Sequence, residues 1–146
     1  FDCSGFTQYI FNHFSYSLNA SSASQYLQGI SVKDEEICRG DLVFFKGRNS
    51  RRSNVGHVGL VTEVYPDGRF KFIHASTSQG IREDWNFSPY YAQRYVGARR
   101  IYFVQIDKRL ILDAILELED IDDNTPFTEM EKSITPQEFS TFVRAE

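Results

Sequence analysis

The chain is poor in the side chains that carry most protein chemistry: its 146 residues include two cysteines, three histidines, one methionine and one tryptophan. Two cysteines cannot build a disulfide framework, which excludes a small scaffold held by bridges. No stretch is long and apolar enough to cross a bilayer as a helix, and no charged-then-apolar leader is present. The first residue is Phe1 rather than Met, which reads as a processed or truncated chain. Positive charge is scarce as well. The net charge is −4 and no RNA- or DNA-binding signature accompanies the basic residues, so no nucleic-acid partner is expected. The charge is also unevenly spread. Residues 1–106 hold 12 Lys/Arg against nine Asp/Glu, whereas residues 107–146 hold four against 11. The shift divides the chain into a mildly basic domain, 1–106, and an acidic, mostly helical extension, 107–146.

What remains is 41% hydrophobic and 15% aromatic, enough at this length for one domain with a real core. Its most informative feature is the order of one thiol and two imidazoles. Cys3 lies in Phe1-Asp2-Cys3-Ser4-Gly5-Phe6, and Phe6, Ile10 and Phe14 then recur every four residues, which predicts a helix over 4–14. Cys3 stands at its N-terminus, where unpaired N–H groups and the macrodipole favour an anion. A free thiol titrates near ~8.5, so this placement predicts a lowered pKa and a reactive thiolate. His57, in the apolar run Gly56 to Val61, is the candidate base and the expected ion-pair partner of Cys3. A base of this kind needs a group that fixes its tautomer, and His74, in Phe72-Ile73-His74-Ala75-Ser76, is the candidate. The β-prone runs 55–65 and 69–76 flank Pro66-Asp67-Gly68, which predicts a hairpin carrying both rings, with a bulge at Gly68 to bring them onto one face.

The rest of the chain reads more plainly. Residues 16–27 form a loop leading into a short helix that starts near Ser21 or Ser22, 34–36 a solvated turn, 42–46 a strand, 77–94 an irregular stretch and 96–104 another strand. Leu110, Ile111, Ala114, Ile115 and Leu118 give a helix over 108–119, which either packs back on the core or opens a further module. An acidic linker follows at 120–123, and Thr135-Pro136-Gln137-Glu138 caps a last helix running toward Val143. Cys38 reads as a small buried apolar residue and His13 as ordinary surface. Gly5 leaves room for a substrate backbone beside the nucleophile. Lys46, Arg48, Arg51 and Arg52 form a basic cluster before His57, read either as a solvated loop or as a rim contact with substrate carboxylates. Asp2 suits a helix cap.

At this point the chain resembles the NlpC/p60 cell-wall cysteine peptidases. The resemblance rests on Phe1 to Phe6, Gly40-Asp41-Leu42-Val43-Phe44-Phe45, His57-Val58-Gly59, Phe72 to Ser76 and Val96-Gly97-Ala98-Arg99-Arg100, and spans 1 to about 103. It implies an α+β, papain-like fold in which the N-terminal helix carrying the Cys packs on an antiparallel sheet or half-barrel. It implies Cys3 as nucleophile, His57 as base and His74 as third polar residue, with Asp2 and Ser4 touching substrate and Asp2 meeting the amino group of the stem peptide. The implied reaction is hydrolysis of an amide in a peptidoglycan stem peptide, often between D-γ-glutamate and a diamino acid, through a thioester, without metal or organic cofactor, in the cell envelope. The family's aromatic-Gly-Gly motif lies upstream of the Asp-Cys-Ser-Gly run and has no counterpart in this sequence, and Ala20 stands where relatives carry a basic residue.

Other readings compete. A domain of this kind that grips cell-wall peptide without cutting it, or one that transfers the acyl group to an amine, would carry the same residues. A Cys3–Cys38 redox pair is a further possibility. A zinc site is disfavoured, because Cys3, Cys38, His57 and His74 contain no close-spaced ligand pair.

Overall fold

The computed structural model of the protein describes residues 1–52, 54–101 and 108–119. Helix α1 (Cys3–Asn12) comes first, then the one-turn helix α2 (Ser22–Gln25). Six strands follow: β1 (Ile30–Val32), β2 (Leu42–Lys46), β3 (Val55–Val64), β4 (Phe70–Ser76), β5 (Gly80–Trp85) and β6 (Tyr95–Arg100), with the short helix α3 (Pro89–Ala92) before β6. Helix α4 (Lys108–Glu119) is the last described element. The strands form one sheet in the order β1-β6-β2-β3-β4-β5, with antiparallel pairing at every step. This is the α+β arrangement expected from the sequence, a cysteine-bearing helix laid on an antiparallel sheet. Among the described residues no helix is long and apolar enough to cross a membrane.

Both faces of the sheet are covered, which explains why Leu42-Val43-Phe44-Phe45 is an unbroken apolar run instead of an alternating one. Leu42 and Phe44 join Phe6, Ile10 and Phe11 of α1 in one cluster with Val58, Leu60 and Ile73. Val43 and Phe45 join Val61, Phe70, Phe72 and Ala98 in a second cluster on the other face. The α1 stripe therefore buries Phe6 and Ile10 completely, and full burial of such side chains contributes about 1.5–3 kcal/mol each. Helix α4 packs back on the core. Its Ile111, Leu112, Ala114 and Ile115 belong to the helix-side cluster, and the Tyr9 hydroxyl donates to the Ala114 carbonyl at 3.1 Å. The expected linker at 120–123, the helix near Thr135 and the end of the strand expected at 96–104 lie outside the described residues.

Three expectations are corrected. Residues 77–94 are not irregular: they hold β5 and α3. Cys38 is exposed, because the inward-facing neighbour is Ile37, and its thiol donates to the Glu36 carbonyl at 3.4 Å. The hairpin's irregularity is not at Gly68, which takes the positive-φ turn position (φ 90°), but between Val61 and Glu63. The three-residue strand β1, mostly exposed, has no clear signature in the sequence.

Candidate active site

Helix α1 begins where the sequence says it should. Asp2 is its N-cap: one carboxylate oxygen, Oδ1, accepts the Gly5 N–H at 2.7 Å. A Cβ on residue 5 would lie 2.5 Å from that oxygen, so the space at Gly5 is taken by the cap rather than left open. Cys3 is thus the first helical residue, half-buried. Ser4 is buried. The Cys3 sulfur rests on the backbone to either side of His57: its S–H donates to the Gly56 carbonyl at 3.9 Å, and the Val58 main chain donates to it from the other side.

The electrostatics run against the expected thiolate. Burial is the largest influence on Cys3 and pushes its pKa up. The backbone N–H groups of Val58, Ser4 and Cys3 itself pull it down, as a helix start should, but they do not outweigh burial, and the Asp2 carboxylate adds to the rise. His57 moves the other way, to about 3, chiefly because it is buried and next because His74 stands beside it, with Asp84 opposing both. Both shifts favour the uncharged forms of the Cys3 thiol and the His57 imidazole, and among the described residues no hydrogen bond joins them. These shifts run against the ion pair expected from the sequence.

The imidazoles are held by side chains. Extending the β3–β4 ladder one step beyond Leu60–Ile73 sets Gly59 opposite His74. A Cβ on Gly59 would come within 3.3 Å of the His74 Cβ and 2.7 Å of the Phe72 ring, so the absent side chain makes room there. Residues two apart share a face, which places His57 diagonally across from His74. The two rings meet edge to face, with centroids 4.9 Å apart and Nε2 of His57 2.8 Å from Nδ1 of His74. His74 is fully buried, and its Nε2 lies 2.7 Å from the Asp84 carboxylate, which Arg82 also approaches at 3.0 Å. Tyr91 of α3 closes the arrangement, stacked over His57 and edge-on to His74.

The Asp84 contact orders the protons. An ionised carboxylate only accepts, so His74 Nε2–H donates to it. With its proton on Nε2, His74 offers Nδ1 as the acceptor, and His57 donates its Nε2–H there. That leaves the Nδ1 lone pair of His57 as the free base of the line. Asp84 was not anticipated, since it sits in a charged stretch that does not read as a strand. The signal available was the alternation of Ile81, Glu83 and Trp85 with Arg82 and Asp84.

A helix-borne thiol set against a sheet-borne imidazole pair, on an α+β domain, defines the class of this molecule. The NlpC/P60 family profile matches residues 1–100, and the chain belongs to that family. It is 38% identical over 101 residues to the Escherichia coli K12 protein named murein DD-endopeptidase MepS/murein LD-carboxypeptidase, covering 68% of this chain and 49% of that protein. It is 35% identical over 102 residues to the Bacillus subtilis gamma-DL-glutamyl hydrolase, covering 69% of this chain and 24% of the relative. The chain thus spans about half or less of the length of these relatives. A solved Bacillus cereus NlpC/P60 family protein superposes with a TM-score of 0.60 at 32% identity, over 68% of this chain and 31% of that one.

Proposed function

We propose that this chain is a cysteine endopeptidase of the cell envelope that cleaves an amide in the peptide part of peptidoglycan, at the bond between D-γ-glutamate and a diamino acid. The observation that carries the reading is the line Asp84–His74–His57, which frees one imidazole nitrogen beside the backbone on which the Cys3 sulfur rests. The relatives named for murein endopeptidase and γ-glutamyl hydrolase activity support the substrate class.

In this reading Cys3 loses its proton to Nδ1 of His57 as the sulfur attacks the carbonyl, in line with shifts that favour the uncharged form of each. The N–H of Cys3, with no carbonyl partner inside α1, helps hold the oxyanion. The imidazolium, steadied through His74 by the Asp84 carboxylate, then protonates the departing amine and leaves a thioester. Water activated by His57 releases the acid. Asp2 and Ser4 remain candidates for substrate contact, Asp2 through the oxygen not engaged by Gly5.

The test is mass spectrometry of a defined muropeptide treated with the chain and with Cys3→Ala. Cleavage is expected to vanish in the variant while its melting temperature is retained, and retained cleavage refutes the mechanism. The neutral resting thiol also favours a second reading, a domain that binds stem peptide without cutting it. Binding of the muropeptide by the unmodified chain with no product identifies that case. An added amine acceptor separates acyl transfer from hydrolysis.

A further inference from the structure

The cleft beside His57 carries positive charge that the reaction above does not use. It measures about 400 Å³, and its lining includes Lys46, Arg48, Gly56, His57, Arg82, Asp84 and Tyr91. Three cations face one carboxylate, and that carboxylate is already engaged by His74 and Arg82. Lys46 does find a partner, but a neutral one, donating to the Ser50 carbonyl at 3.3 Å. Arg48 is exposed at the rim. Among the described residues neither Lys46 nor Arg48 forms an ion pair, so two positive charges in this cleft are uncompensated. Of the basic cluster seen in the sequence, these two line the cleft and Arg51 and Arg52 do not. The Tyr91 phenol, held protonated up to about 12 mainly by burial, adds a neutral donor.

The position of the cleft says which half of a substrate it receives. Gly56 and His57 belong both to the cleft and to the surroundings of the sulfur, whereas Cys3 is not part of the wall. In the cleavage reading His57 protonates the leaving amine, and His57 lines the cleft, so the amine half is the one brought to this side. We propose that the cleft is a carboxylate-binding subsite for the leaving half of the substrate: a diamino-acid peptide with a free carboxylate, paired with Lys46 and Arg48. This rests on the cleavage reading above for the direction of the substrate.

Binding tests it without relying on cleavage. The whole chain, 15N-labelled, is titrated with lysyl-D-alanine and with lysyl-D-alaninamide, which differ by one negative charge. The acid is expected to perturb the Gly47 and Gly56 amides and to bind about tenfold more tightly than the amide, as a charge-assisted contact predicts. The double variant Lys46→Met/Arg48→Gln is expected to erase that preference. Equal binding of acid and amide by the unmodified chain, or acid-selective perturbations confined to other parts of the molecule, overturns the subsite. Failure of the cleavage reading appears elsewhere, as an intact muropeptide or an active Cys3→Ala, so the two failures are distinguishable.

Discussion

The two halves of the candidate site are held by different means. The thiol side is built from main chain: Cys3 is placed by the start of α1, and its sulfur touches the backbone of residues 56 and 58. The imidazole side is built from side chains, three in a row, with links of 2.8 and 2.7 Å. Main-chain placement survives most substitutions nearby, because every residue type but proline supplies the same N–H and C=O. A side-chain line fails when any member is changed. The nucleophile should therefore be tolerant of its neighbours and the base sensitive to them.

Asp84→Asn attacks that contrast with the largest expected effect. An amide can turn its N–H₂ toward His74 Nε2, which reverses the order of donors and acceptors. His74 would then donate through Nδ1, His57 would accept at Nε2, and the Nδ1 of His57 would carry the proton instead of the lone pair. By analogy with the loss seen when a triad carboxylate becomes an amide, kcat/KM should fall about 10³-fold or more. Steady-state kinetics on a muropeptide check it, with a thermal melt to confirm the fold. A loss below about threefold would mean that the line does not set the tautomer.

The same contrast decides what could be read from the sequence. The α1 stripe of Phe6 and Ile10, the hairpin and both histidines were legible because each is a periodic pattern or a turn signal. Asp84 was not, since Gly80-Ile81-Arg82-Glu83-Asp84-Trp85 has one buried apolar residue, Ile81, and Asp84 is held by ionic contacts with His74 and Arg82. The thiol's electrostatics were only half legible. The helix start and its N–H groups follow from local sequence, but desolvation depends on what the rest of the chain lays over the sulfur. Gly5 misled for a similar reason, as its empty space is filled by the cap of the residue three before it.

Alkylation sharpens the comparison at intermediate size. Cys3 is half-buried with a pKa pushed up, whereas Cys38 is exposed. Since the thiolate is the reacting form, iodoacetamide at pH 7 should modify Cys38 before Cys3, by about tenfold or more, and the Cys3 rate should climb with pH beyond the ordinary thiol range. Peptide mapping after timed quenching reads both sites. The same measurement on Asp84→Asn should leave the Cys3 rate unchanged, because the backbone, not the imidazole line, surrounds the sulfur. Faster labelling of Cys3 than of Cys38 at pH 6 would show a resting thiolate and reverse the contrast.

The smallest effect lies in stability. His57 titrates at about 3 when folded and near 6.5 when not. A folded value below the unfolded one means that the unfolded chain binds more protons between those limits, so stability is intact above about pH 6.5 and declines as pH falls toward 3. Between pH 7 and pH 5 this one group should remove about 2 kcal/mol. Other groups titrate over the same range, so the readout is a difference: urea unfolding of the chain and of His57→Gln at both pH values. The variant loses the charge that must be desolvated, and its decline over this interval should be shallower by that amount. Equal declines would mean that His57 is solvated enough to ionise where it stands, and the imidazole side would then resemble an open surface rather than a line fixed by its neighbours.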